Sequence, residues 1–148
     1  MSTIAERNDY WLIERWFRHL FTQGEIEKPD ELVTPDFVTR DPSGKLGAAN
    51  PEAFKTWLRW YLSHFTERTW TLHDVIRSED KVIVRYSGQV TYQGGLFEIP
   101  STHQRITEMG ILIFRIREGR IAELWSALSD LELVLELGAI PVVRGVRS

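Results

Sequence analysis

Residues 104–125 read QRITEMGILIFRIREGRIAELW, and the period of this stretch decides the fold. From Gln104 to Arg117 the alternation has a period of two, which is the period of a β-strand. Glu118-Gly119 supplies a tight hairpin turn, and Arg120 to Trp125 forms a second, antiparallel strand. One face of the first strand carries Ile106, Glu108, Gly110, Leu112 and Phe114, and the other carries Thr107, Met109, Ile111 and Ile113. A strand apolar on both faces needs cover on both. Helices can supply one cover, and a second copy of the chain is expected to supply the other, so a homodimer is inferred.

The pattern extends outward from this hairpin. Thr69 to Arg77 and Lys81 to about Gln93 read as two further strands, joined by a turn at Ser78-Glu79-Asp80 and followed by the long connection GGLFEIPSTH. Upstream the period changes to that of a helix. Ile13, Trp16, Phe17, Leu20 and Phe21 form one apolar stripe within Ile4 to Phe21, with Gly24 as a stop. A second helix opens at Asn50-Pro51, an N-cap followed by a proline in the first turn, and runs to about Phe65 with Phe54, Trp57, Leu58, Tyr61 and Leu62 on its apolar side. Between the two, KPDELVTPDFV gives one helical turn and an extended piece through Phe37 and Val38. A last short helix is expected from about Asp130 to Gly138. Helices first and a strand meander afterwards predict an α+β domain, helices packed on one face of a curved antiparallel sheet. The whole of 1–148 is read as a single domain.

Composition narrows the function classes. The chain has 43% hydrophobic and 26% charged residues, the make-up of a folded globular domain rather than a disordered or membrane-embedded one. The net charge of −3, with acids and bases interspersed, gives no footprint for nucleic acid or an anionic membrane. The absence of cysteine removes disulfides and thiolate chemistry, and it suits a cytoplasmic protein. No start resembling a signal peptide is read at the N-terminus. The histidines His19, His64, His73 and His103 lack metal-ligand spacing, and there is no phosphate-binding glycine loop or nucleophile elbow, so neither a metal nor a cofactor is expected. Six Trp, seven Phe and four Tyr leave two readings, a large aromatic core or an aromatic pocket for a flat apolar ligand.

The remaining chemistry is that of acids, bases and hydrogen-bond donors on strands. His73 and Asp74 are adjacent in a strand, so regular alternation sends them to opposite faces and forbids a direct pair. His73 is the better acid–base group, since an unperturbed imidazole titrates near neutrality, or else it is a surface histidine. Arg85 shares a polar face with Ile83, Ser87, Gln89 and Thr91, which reads as solvent-facing; turned inward, it would stabilise an oxyanion. Glu108 lies on the apolar face, as a cavity acid or as an edge residue. Asp41, before Pro42, is commonest as a turn former.

The segments FVTRDPSG (37–44), HDVIRSEDKVIVRYSGQVTYQGGLFEIPSTHQRITEMGILIFRIREGRIAELW (73–125) and LELG (135–138) together resemble the SnoaL-like polyketide cyclases and their "ester cyclase" group, within the nuclear transport factor two-like superfamily. The resemblance covers residues 8–140. It implies a cone of helices and curved sheet around a deep apolar pocket, dimeric through the sheet. In the cyclases an aspartate at the end of the last strand closes the ring without a cofactor, and that position is Ser126 here. In the related limonene epoxide hydrolases an arginine sits between two aspartates. Those positions fall on Arg85, Ser87 and Ser126, so both acids are missing and that reaction is rejected. The "ester cyclase" group often has His before the Asp-Pro pair, where this chain has Arg40.

The expected function is therefore a cyclase or isomerase that moves a proton beside a carbonyl in a polyketide- or terpenoid-like molecule, with Arg85, His73 and Glu108 as the catalytic set. Trp125, Ser126, Tyr86, Asp41 and Trp57 form the expected substrate-binding set. The alternatives are a binding module that has lost catalysis with the aspartate, and a dimeric interaction protein whose cavity is filled by its own side chains.

Overall fold

The computed structural model describes residues 4–129 and 137. The helix expected from about Asp130 to Gly138 therefore lies outside the described residues, apart from Leu137. Helix α1 (Ile4–Arg15) continues without a break into a π-helical stretch, Trp16–Thr22, which turns its four large apolar residues Trp16, Phe17, Leu20 and Phe21 to the interior. The wider i→i+5 spacing persists at the end, where the Gln23 amide donates to the Arg18 carbonyl at 2.9 Å. A single helical turn, α2 (Pro29–Leu32), leads into β1 (Val33–Arg40). Helix α3 (Pro51–His64) begins as expected: Asn50 caps it, its side-chain oxygen accepting from the Ala53 amide at 2.8 Å, and Pro51 follows. Strands β2 (Phe65–Ser78), β3 (Lys81–Tyr92), β4 (Arg105–Arg117) and β5 (Arg120–Leu128) complete the order.

The sheet runs β1-β5-β4-β3-β2. The four long strands are antiparallel neighbours, and β1 adds to the edge of β5 in parallel, so the sheet is mixed rather than wholly antiparallel. The expected extended piece at Phe37 and Val38 is thus a strand of the main sheet. A crossover through α3 and the hairpins separates β1 from β5, as a parallel pairing requires.

The helices cover one face, hereafter the inner face. Trp16, 1% exposed, is its centre, with ring centroids 5.1 Å from Phe54, 5.6 Å from Phe114 and 6.1 Å from both Phe21 and Phe37. One side chain thus joins the first helix to α3, β1 and β4. Lys55 ties α2 to α3. Its buried ammonium meets Glu52 at 2.7 Å, Asp30 at 2.9 Å and Glu27 at 3.5 Å, and those bonds, Glu52's first, raise its pKa. The described helices include none long and apolar enough to cross a membrane.

Two local features differ from the regular pattern. Leu72 pairs with Tyr86 and Asp74 with Arg85, so His73 is the extra residue of a β-bulge. Strand β5 also runs three residues beyond Trp125, which puts Ser126 inside the strand, opposite Leu112, instead of at its end.

Candidate functional site

Strand pairing assigns each candidate to a face. Val82, Val84, Tyr86, Gly88 and Val90 of β3 are buried against the helices, as are Ile106, Leu112 and Phe114 of β4. Glu108 shares that parity, so its carboxylate points inward. Across the sheet it forms a row with Gly88 and Trp70, since Gly88 pairs with both. The glycine is needed there. A Cβ on Gly88 would lie 2.2 Å from Cε3 and Cζ3 of Trp70, whose six-membered ring lies over that backbone.

A partner of Glu108 comes from α3. Tyr61 Oη donates to the carboxylate from 3.1 Å to each oxygen, a centred contact that fixes the plane of the group. Trp57 stacks on Tyr61 with centroids 5.5 Å apart and planes at 25°, and Phe21 and Phe65 close in at 5.8 and 5.1 Å. Trp57 is 39% exposed, so Tyr61 lies one ring beneath the surface, while Glu108 is half-buried. Burial, then the charge and hydrogen bond of Glu108, push the Tyr61 pKa well above its ordinary 10.0. Tyr61 therefore remains a neutral donor across the physiological range.

That shift carries a stability consequence. Above pH 10 an unfolded chain ionises this phenol while the folded chain does not, so protons favour the native state. The contribution is complete below pH 10.0 and is lost as pH rises towards the elevated folded value. Urea midpoints measured from pH 8 to pH 11 should fall, and Tyr61→Phe should flatten the alkaline part of that fall. An unchanged slope in Tyr61→Phe would show that Tyr61 titrates normally.

Arg85 and His73 lie on the other face. Arg85 Nε donates to Asp74 at 2.6 Å, and its side chain is 56% exposed. His73 Nε2 and Ser87 Oγ are 2.7 Å apart on the same surface. The bulge explains why His73 and Asp74, expected on opposite faces, both reach the outer one. These groups border a shallow opening of about 340 Å³ with Met109, Ile111 and Ala127. Arg85 and Ser87 thus face away from Ser126, which is half-buried on the inner face, and the three positions do not form one site. The structure brings His73 and Arg85 together but separates both from Glu108.

Of the expected binding residues, Tyr86 is buried on the inner face, 5.2 Å from Phe17 and 5.7 Å from Trp70. Ser126 and Trp57 share that side of the sheet. Ser126 is set four residues along β4 from the Glu108 row, roughly 13 Å at strand spacing. Trp125 is on the outer face beneath the Arg115 guanidinium, 5.3 Å from its ring. Asp41 is exposed in its loop and accepts from the Ser43 hydroxyl at 2.5 Å and the Ser43 and Lys45 amides at 2.8 and 3.0 Å, which lower its pKa. It is the turn former that its position before proline suggests. The sequence does not mark Tyr61 or Trp70 as functional. The available signal was a tyrosine in an apolar helical stripe, because a buried phenol needs a polar partner.

The SnoaL-like domain family matches residues 13–124. No curated protein matches. Among solved structures, a candidate polyketide cyclase from Acidithiobacillus ferrooxidans superposes with a TM-score of 0.80 at 17% identity, covering 93% of this chain and 98% of its own. TsrD from Streptomyces laurentii does so with 0.77 at 24%, over 95% and 100%. IdmH from Streptomyces antibioticus, also a candidate polyketide cyclase, reaches 0.75 at 22%, over 87% and 97%. At these identities the likeness speaks for the fold.

Proposed function

The chain belongs to the SnoaL-like domain family, and from that membership we propose that it is an acid–base cyclase or isomerase, requiring no cofactor, for a hydrophobic carbonyl compound bound on the inner face. The observation that carries the proposal is the Glu108–Tyr61 pair: an inward carboxylate that accepts from a neutral phenol, which is itself packed among aromatic rings. Glu108 takes the place in the chemistry of the aspartate absent at Ser126. It removes a proton next to the substrate carbonyl and returns it elsewhere. Tyr61 is a positioning residue that holds the carboxylate plane. Trp57 and Tyr86 supply flat walls, and Ser126 is a hydrogen-bonding hydroxyl farther along the same face. The test is whether the protein accelerates exchange of the α-protons of 2-tetralone in D₂O, read by proton NMR, and whether Glu108→Gln removes the acceleration.

Ser126 favours a second reading, a ligand-binding module without catalysis, because the expected strand-end acid is absent. Binding of 2-tetralone without faster exchange would establish that reading.

The outer face is proposed as the contact with a second copy of the chain. Met109, Ile111 and Ile76 are 45%, 46% and 55% exposed, and Ile83 and Ile113 are half-buried beside them, an apolar strip in the middle of a sheet face. Sedimentation velocity at micromolar concentration should show a dimer, and Ile111→Glu a monomer of unchanged circular dichroism. A wild-type chain that sediments as a monomer contradicts the dimer.

A further inference from the structure

We infer that the opening between α1 and the edge strand β2 is a binding site for the hydroxyl of a planar aromatic ligand, read jointly by Glu14 and Trp70. The opening, about 460 Å³, is bordered by Tyr10, Glu14, Phe17 and Arg18 on the helix side and by Trp70 and Leu72 on the strand side. It therefore has aromatic walls. Two of the residues that line it carry a buried polar atom with no hydrogen-bond partner among the described residues, Glu14 Oε2 and Trp70 Nε1. Buried polar groups are rarely left unpaired, and those that are call for a specific explanation.

The two atoms are complementary in a specific way. The indole N–H is a donor only, and the carboxylate oxygen is an acceptor only. A hydroxyl satisfies both from one oxygen, accepting from Trp70 and donating to Glu14. A ketone or an ether can only accept, so it leaves Glu14 unpaired. The indole is held in place, because its six-membered ring covers Gly88, where no side chain could fit, and its centroid stands 5.9 Å from Phe17 and 5.6 Å from Phe21. Glu14 is the adjustable member. Its other oxygen meets the half-exposed Arg18 at 3.3 Å, an i,i+4 surface pair of the kind that holds only weakly. Both atoms are buried, so the ligand reaches them as Glu14 turns about its side-chain bonds.

This site stands on its own side chains and does not require Glu108 to be catalytic. The experiment titrates the full chain with 2-naphthol and with 2-methoxynaphthalene, which keeps the ring and the acceptor but has no proton to donate. Binding is followed by the indole N–H resonance of Trp70, assigned by its disappearance in Trp70→Phe. The expected result is a shift of that resonance by 2-naphthol and an affinity roughly tenfold or more above that of the methyl ether. Glu14→Met should abolish the preference, and Glu14→Asp, which keeps the charge but withdraws the oxygen by one methylene, should weaken it. Equal affinities, or a Trp70 resonance that neither compound moves, overturn the inference. A preference that survives Glu14→Met and vanishes in Glu108→Gln overturns it too, and assigns hydroxyl recognition to the Tyr61–Glu108 pair instead.

Discussion

Glu108→Gln is expected to slow α-proton exchange of 2-tetralone by about 10²–10⁴-fold, the usual contribution of a positioned proton-transfer group. Glutamine has nearly the same shape and keeps an oxygen to accept from Tyr61, so packing around the site should survive. It lacks only the capacity to take a proton at neutral pH. The loss should therefore fall on the exchange rate, with 2-tetralone affinity little changed. Arg85→Ala and His73→Asn alter groups on the opposite face of the sheet and should stay near the wild-type rate. If Glu108→Gln exchanges as fast as wild type, Glu108 is not the base. If His73→Asn instead removes the activity, the chemistry belongs to the outer opening.

Trp16→Ala is expected to destabilise the fold by roughly 3–5 kcal/mol, the range for deleting a large aromatic side chain from a packed core. Trp16 is 1% exposed and meets four other rings from four elements, so no single neighbour can move in to fill the space. A loss of that size is a large part of a domain's total stability. Urea denaturation followed by circular dichroism measures it directly. A loss below about 1.5 kcal/mol would mean that the site collapses around the missing ring and that the core is not centred on Trp16.

The period-two alternation in β3 and β4 was enough to place Glu108, Leu112 and Phe114 together, and it read the polar row Ile83, Arg85, Ser87, Gln89, Thr91 as the solvent side. The structure agrees on Arg85. The resemblance sets Arg85 at the position of the epoxide hydrolase arginine, but position along a motif does not report the face on which a side chain emerges, and one residue of register reverses it. His73 shows the opposite limit. Alternation separates it from Asp74, but a bulge adds a residue that no composition rule marks, and both side chains reach the outer face. The helix cap at Asn50 was legible because capping is local chemistry. The parallel pairing of β1 with β5 was not, since it joins segments some eighty residues apart and depends on the crossover. Nor was the Tyr61–Glu108 bond, 47 residues apart in sequence and settled only when α3 packs on the sheet.

The central claim is that the inner face, not the outer one, holds the substrate. Intermolecular nuclear Overhauser effects from bound 2-tetralone test it most directly. The inner site predicts contacts to the ring protons of Tyr61 and Trp57. Contacts instead to the methyl groups of Met109 and Ile111, beside His73 and Arg85, would contradict it.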